Sequence, residues 1–455
     1  MKKIILLACG TLALSLLSTS IMAAVSAEEA AKLGTTLTPL GGEKAGNAAG
    51  TIPPWTGGLK PGAAPMTNDF LGNPFEGEKP QFVITAANYT QYKDKLSAGQ
   101  QAMFQRYPET YRIPVYKTQR TASAPQEVYD AAKKSAVTTE GINDGYALKN
   151  FDQSHYYAFP IPKTGLEVVW NHLTRSRGTN FINRQAQATP QTNGSYTIVD
   201  IEIAAGLPWK MADAKPEDSA NILFFAKQTV TAPARMAGSV LLIHETLDQI
   251  KQPRMAWAYN AGQRRVRRAP QVAYDGPGTA ADGMRVADNA DMYNGAPDRY
   301  DWKLIGKKEM YIPYNNYLLQ SPKLKYADII KPGHINQDLT RYELHRVWEV
   351  EGTLKPGERH IYAKRHMYFD EDTWAAVEID QYDGRGALWR VSEGHVVNDY
   401  QQGVAVYAGI GIYDLLAGRY LVSNLGNENK RGTDYSYQPT MSDFTPAALR
   451  NAGIR

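Results

Sequence analysis

From about residue 178 the hydrophobic pattern repeats every second residue, and the segments between repeats are too short for anything but hairpins. SYTIVDIEIA, NILFFAKQTVT, RMAGSVLLIHETL, PRMAWAYNAG, QRRVRRAP, YDWKLIGKKEMYIP, TRYELHRVWEVEGTL, RHIYAKRHMYFDEDTW, AAVEIDQYDGRGALWRVSEGHVV and YAGIGIYDLLAGRYLVSNL follow one another as strands. Their joints carry turn chemistry: Asn260-Ala261-Gly262, Glu351-Gly352 with Pro356-Gly357, Asp370-Glu371-Asp372 and Asp383-Gly384-Arg385-Gly386. A parallel crossover requires a dozen or more residues, so strands joined this tightly are antiparallel. A polar insertion, residues 270–300, interrupts the series. Open sheets of many strands tend to curl, and the expectation is a mainly β (α+β) fold. It consists of a large, highly curved antiparallel sheet wrapped around helices, in one domain over residues 81–455.

The helices meant to fill that curve lie at about 86–173. AANYTQYKDKLSAGQQAMFQRYP carries Leu96, Met103 and Phe104 at roughly helical spacing. Ser123-Ala124-Pro125 opens a second helix, with serine as cap and proline at the first turn. Thr164 ahead of Gly165-Leu166-Glu167 opens a third as a capping box. Between the first two, TYRIPVYKTQR reads as a short proline-marked edge strand. Residues 28–80 begin with a helical piece, Glu28–Leu33, and continue as a Gly/Pro-rich arm. Trp55 gives that arm a reason to lie on the body, where burial of its ring offsets the ordering cost.

Residues 1–27 have the parts of an export signal. Lys2 and Lys3 are followed by an apolar stretch, Ile4 to Leu17, with Val25 and Ala27 at a small-residue cleavage site. Leu6-Leu7-Ala8-Cys9 superficially resembles a lipidation box, but too few apolar residues precede Cys9, and the apolar run continues past it. Removal of 1–27 takes away the only cysteine and leaves a chain with no disulfide or thiolate-held metal. The formal charge of +4 falls to +2 with Lys2 and Lys3 gone, a balance that does not point to nucleic acid. The location expected is the periplasm.

Several strands alternate an apolar with a charged side. In RYELHRVWEVEG, Tyr342, Leu344, Arg346, Trp348 and Val350 share one face, opposite Glu343, His345, Val347, Glu349 and Glu351. The charged side is expected to face water. Trp257, Tyr259, Trp302, Tyr311, Trp348, Trp374 and Trp389 then either build an ordinary core or line a cavity for an acyl chain or other lipid. The densest charge is Arg264-Arg265-Val266-Arg267-Arg268. It reads as an edge strand kept from aggregating by charge, with Asp282, Asp288, Asp291 and Asp298 as intramolecular partners. The other reading gives Arg264, Arg265, Arg267 and Arg268 an acidic partner or anionic headgroups.

Catalytic patterns are weak. None of the eight histidines forms HExxH, HxxxH or HxH, and no GxSxG elbow, P-loop or GxGxxG in a βαβ setting occurs. His345, His360 and His366 could converge on a metal only if a hairpin aligned them, and a salt-bridge lattice around His345, Arg365 and Glu343 fits better. Glu378 and Asp380 form an acid pair with nothing to single it out. No enzyme, cofactor or metal is expected.

The segments RMAWAYNAGQRRVRRAP, NADMYNGAPDRYDWKLIGKKEMYIPYNNYLL and RHMYFDEDTWAAVEIDQYDG together resemble a family of Gram-negative exported proteins described as outer-membrane lipoprotein-sorting-like. Its members look like enlarged relatives of the periplasmic carrier LolA and its acceptor LolB. The resemblance implies a LolA/LolB-like sheet around an apolar cavity and a carrier of a hydrophobic compound. It also implies partners, an inner-membrane exporter of the resistance–nodulation–division kind and an outer-membrane protein, with peripheral membrane contact. The chain departs from the small carriers in its length, its arm, the 270–300 insertion and the absence of a cysteine at the mature N-terminus. Two functions follow. One is a periplasmic carrier of a lipid or other hydrophobic compound; the alternative is a non-enzymatic structural or assembly partner in an outer-membrane or export complex.

Overall fold

The computed structural model describes residues 24–269, 272 and 274–452. The expected export signal lies almost wholly outside these residues, as does Cys9. Chain order begins with α1 (Ala27–Ala30), β1 (Phe82–Ile84), α2 (Ala98–Arg106), β2 (Ile113–Val115) and α3 (Gln126–Thr138). A small hairpin, β3 (Glu140–Ile142) and β4 (Ala147–Lys149), precedes α4 (Gly165–Thr174). The first run of long strands is β5 (Phe181–Ala188), β6 (Val199–Gly206), β7 (Ile222–Ala232), β8 (Val240–Thr246), β9 (Met255–Asn260) and β10 (Arg265–Arg268). After the insertion come β11 (Tyr300–Pro313), α5 (Tyr326–Ile329), β12 (Tyr342–Leu354), β13 (Lys364–Asp370) and β14 (Ala376–Tyr382). The chain ends with β15 (Leu388–Asp399), β16 (Val404–Asp414), β17 (Arg419–Leu425) and α6 (Ala448–Ala452).

Fifteen strands form one sheet in the order β1-β2-β12-β13-β14-β15-β16-β17-β5-β6-β7-β8-β9-β10, with β11 beside β12. Two meanders, β5–β10 and β12–β17, are joined by the pairing of β17 with β5 at Val422↔Ala188 and Leu425↔Ala186. Pairing is antiparallel apart from one parallel contact, Tyr342↔Val115. Strand β2 is not the edge expected from its proline, because β1 covers its free side.

The expected highly curved sheet wrapped around helices is not what forms. The fold is mixed α/β, and its large, mostly antiparallel sheet is open: the path ends at β1 and β10, which do not pair. The physical reason is that both faces are buried. Successive residues of one strand enter different cores: Met310 and Ile312 join one cluster and Tyr311 the other, and Val396 and Val397 divide in the same way. Helix α4, capped by Thr164 and Glu167 as its sequence predicts, is buried along its length and packs against β11 and β12. Helix α2, capped by Ser97 and Gln100, packs against β14 and β15. Around β11–β15, chain on both sides leaves no empty concave side to curl around.

The charged face of β12 is therefore covered at Glu343 and His345, and only Glu349 and Glu351 further along are partly exposed. Glu343 is 0 % and His345 1 % exposed. Glu343 accepts from Arg341 Nε (2.6 Å), Asn315 Nδ2 (2.9 Å) and the Gln119 N–H (2.7 Å). The acidic turn Asp370-Glu371-Asp372 binds the N-terminal arm. Arg120, itself buried, reaches Asp372 through Nε (2.8 Å) and Nη2 (2.6 Å) and also donates to the Glu43 carbonyl (2.7 Å). Arg346 spans Glu371 (2.7 Å) and the Ala45 carbonyl (2.8 Å). Trp374, left-handed at φ 60°, donates its indole N–H to Leu40 O at 2.8 Å. Gly41 must be glycine here: a Cβ would lie 1.8 Å from Pro160 O.

Glu378, Asp380 and Glu393 are fully buried with no cation bonded to them among the described residues, and Glu378 sits directly across from Glu393. The single hydroxyl hydrogen of Ser97 lies between Glu378 (3.0 Å) and Asp380 (3.1 Å), so one carboxyl must itself carry a proton to complete both contacts. Burial, then mutual repulsion, pushes Glu378 well above the usual carboxylate range, and burial pushes Asp380 up to about 6 and Glu393 to about 7.

Two outcomes are expected. An acid whose folded pKa is raised holds a proton that the unfolded chain releases, so its contribution is complete below about pH 4 and is lost as pH rises through about 7. Urea midpoints measured from pH 5 to 8 should fall, and Glu378→Gln should flatten that slope and raise the midpoint at pH 8. Arg120→Met should cost about 3–5 kcal/mol by leaving buried carboxylates unpaired, and limited proteolysis should then cut the arm near residues 43–60.

Candidate functional site

The seven aromatic residues singled out by sequence do not converge. Trp348 and Trp374 stack at 5.9 Å and 14° within one core, and Trp302 packs on Tyr293 and Tyr300. Trp257 and Tyr259 belong to a separate cluster with His244, Phe225 and Phe444. Tyr311 packs on Phe82 and Tyr92, and Trp389 donates to Asp414 (2.9 Å) beneath Arg390.

A cavity of about 330 Å³ opens elsewhere, over β5–β8, and none of those seven residues lines it. Its floor is set by register. Phe181, Ala205, Ala226 and Ile243 lie in one row across four strands, and Asn183, Ile203, Gln228 and Leu241 in the next. Alternate residues of each strand point to one side, so these two rows form a mostly apolar patch. One wall is the insertion, through Val272, Gly278, Thr279, Arg285 and Asp291; the other is β16 with the segment carrying Tyr435.

The insertion, expected as a polar loop, is a wall fixed by buried charge. Asp291 accepts from Arg175 (2.6 Å) and Arg177 (2.8 Å), and these guanidinium groups hold its carboxyl below the usual range despite burial. Asn294 donates to Glu245 (2.9 Å) and accepts from Arg254 (2.6 Å). Asp288 accepts from Arg365 (2.6 Å) and contacts His360 (3.1 Å). His172 accepts the Ala376 N–H at Nδ1 (3.1 Å) and faces the Tyr293 carbonyl through Nε2 (3.0 Å), an arrangement that requires the neutral Nε2–H tautomer. Burial pushes its pKa down to about 3.

The acids suggested as partners for the basic strand are thus engaged elsewhere. Asp282 pairs with Arg419, Asp288 with Arg365, Asp291 with Arg175 and Arg177, and Asp298 accepts from Tyr274. Among the described residues Arg264, Arg265, Arg267 and Arg268 have no carboxylate partner, and three of them form β10, the exposed last strand of the sheet. The three-histidine grouping does not form either: His345 sits with Glu343, His360 with Asp288 and His366 with Glu349. His345, Asp370 and Asp372 do lie close enough to share an ion, but Arg120 already occupies both oxygens of Asp372. The Glu378–Asp380 pair is sealed beneath α2. No helix among the described residues is long and apolar enough to cross a membrane.

A family described as "protein of unknown function (DUF1329)" matches residues 83–450. The chain belongs to the DUF1329 family. It is 62 % identical over 452 residues, 99 % of each chain, to the uncharacterized protein PA3922 of Pseudomonas aeruginosa. Among solved structures, a Vibrio parahaemolyticus domain described as outer-membrane lipoprotein-sorting is similar over 63 % of this chain and 98 % of that one, with a TM-score of 0.44 and 12 % identity. A DUF1329 protein from Desulfovibrio piger is similar over 60 % and 92 % (TM-score 0.42, 14 % identity). The LolA superfamily protein NE2245 from Nitrosomonas europaea is similar over 62 % and 98 % (TM-score 0.38, 12 % identity).

The residues that sequence reading missed in this DUF1329 chain are Arg175, Arg177 and Arg285 in the walls and the floor of β5–β8, while Asp291 was singled out only as a partner for the basic strand. The floor alternation was visible in VDIEIA and FFAKQ; what singles it out is cross-strand register, which one sequence does not contain. Asp291→Ala should leave the buried Arg175 and the half-buried Arg177 without their acid and cost about 3 kcal/mol. Amide exchange over residues 285–296 should accelerate more than exchange over β12–β15.

Proposed function

We propose that this protein is a periplasmic carrier or binding protein for a lipid or other hydrophobic compound, which it holds in the cleft over β5–β8. The observation that carries the reading is the floor: two cross-strand rows rich in Ile, Ala, Leu and Phe, roofed by a wall rather than by packed side chains. Its volume of about 330 Å³ lies at the lower end of the roughly 300–1,000 Å³ of small-molecule sites, which are mostly apolar with a few placed polar groups. The export pattern of residues 1–27 supports a periplasmic location for the mature chain. No catalytic step is part of this reading.

Exchange of such a compound requires a donor and an acceptor, and an exporter of the resistance–nodulation–division kind and an outer-membrane protein would fill those roles. The unpaired arginines of β10 suit an acidic surface on either one. They also support the alternative reading, an assembly partner in an envelope complex.

Native mass spectrometry of the mature protein from periplasmic extract, followed by organic extraction, tests the choice. A stoichiometric hydrophobic compound is expected. Ala226→Trp, which fills the centre of the floor, should abolish its co-purification while the far-UV spectrum is retained. Protein that is always empty and takes up no fluorescent lipid probe favours the assembly partner.

A further inference from the structure

We infer that the cleft takes a single-chain anionic amphiphile, whose carboxylate or phosphate head is seated on Arg285. This rests on the cleft reading above and names its ligand class.

Six arginines line the cleft, and five of them have an acid. Arg175 and Arg177 share Asp291, Arg184 pairs with Glu202, Arg254 with Glu245 and Arg431 with Asp69. Arg285 has none among the described residues. Its Nη2 donates to the Gln187 side-chain oxygen (3.2 Å) and the Thr279 carbonyl (3.4 Å), both neutral. Gln187 is fixed in turn, since its Nε2 donates to the carbonyls of Thr279 and Ala280 at 2.8 Å each. The guanidinium is therefore held from behind through Nη2, and among the described residues its Nε and Nη1 meet no acceptor.

Burial, with no charged neighbour opposing it, lowers the Arg285 pKa to about 10, so the group is still a cation at neutral pH. A half-buried guanidinium facing neutral partners lacks the counter-charge that normally offsets its desolvation. An oxyanion supplies that charge and matches the planar donor fork in two-point geometry. The surroundings specify the rest of the ligand. Val199, Ile201 and Val230 pack together with Ala280 at this end, and the apolar rows of β6–β8 lead away from it. A cavity of about 330 Å³ suits one chain better than a two-chain phospholipid.

The test is fluorescence titration of the delipidated full chain with a dansyl-labelled medium-chain fatty acid and with its methyl ester. The acid should bind at least tenfold more tightly than the ester. Arg285→Gln should erase that preference while leaving ester affinity within about twofold, and Arg285→Lys should retain part of it. Arg112→Gln, which removes an arginine outside the cleft that pairs with Asp338, should change neither. Dodecyl phosphate should displace the acid probe and inorganic phosphate at equal concentration should not, which separates an amphiphile from a free anion. Equal binding of acid and ester by the unaltered protein overturns the headgroup seat but leaves the apolar cleft. Preference retained in Arg285→Gln overturns the assignment to that residue. Displacement by inorganic phosphate overturns the amphiphile, and failure of both probes to bind overturns the cleft reading as well.

Discussion

A guanidinium taken fully out of water is costly unless a carboxylate meets it, and in this fold that meeting happens at the turn Asp370–Asp372. Arg120 and Arg346 neutralise the turn and gather the arm's backbone carbonyls in the same contacts. Trp374 follows immediately and takes Leu40. Two residues on, the Ala376 N–H fixes the His172 ring, and the other side of that ring faces the Tyr293 carbonyl in the cleft wall. A series of hydrogen bonds, joined by short steps along the chain, thus runs from the N-terminal arm to the wall of the cleft over β5–β8. Losing any one ion partner within it leaves a charge uncompensated in a low-dielectric interior.

Local features were legible in the sequence because their causes are local. Strand β11 occupies the segment YDWKLIGKKEMYIP, and the Thr164–Glu167 box caps α4, since period-two patterning and capping depend on neighbours along the chain. The helix after Pro125 begins one step later than its proline suggested, with Pro125 itself at the cap and no side-chain bond. The first helical stretch breaks at Leu96, and α2 restarts behind Ser97. Strand β5 was overlooked: FINRQAQA alternates poorly, and it is placed by β17 on one side and β6 on the other.

What the sequence hid is what lies over each face of the sheet. An alternating strand such as RYELHRVWEVEG looks half-solvated when its neighbours are unknown. Here Glu343 and His345 are as buried as Tyr342 and Leu344, because the arm and the helices cover both sides. The same blindness affects the site. Tryptophans attract attention by size, yet these rings are distributed among several cores. The cleft is instead built from Ala205, Ala226 and Ile203, whose small or ordinary side chains leave room.

The wall of the cleft is held to the body at Asp288, Asp291 and Asn294 before any ligand arrives. The conformational entropy of ordering that segment is consequently lost during folding and not again on association. Under the proposed carrier function, a guest entering such a preformed site gives up mainly its own freedom. The contacts it makes with the floor can then appear almost undiminished as affinity, and differences among guests should be expressed chiefly in how slowly each one leaves.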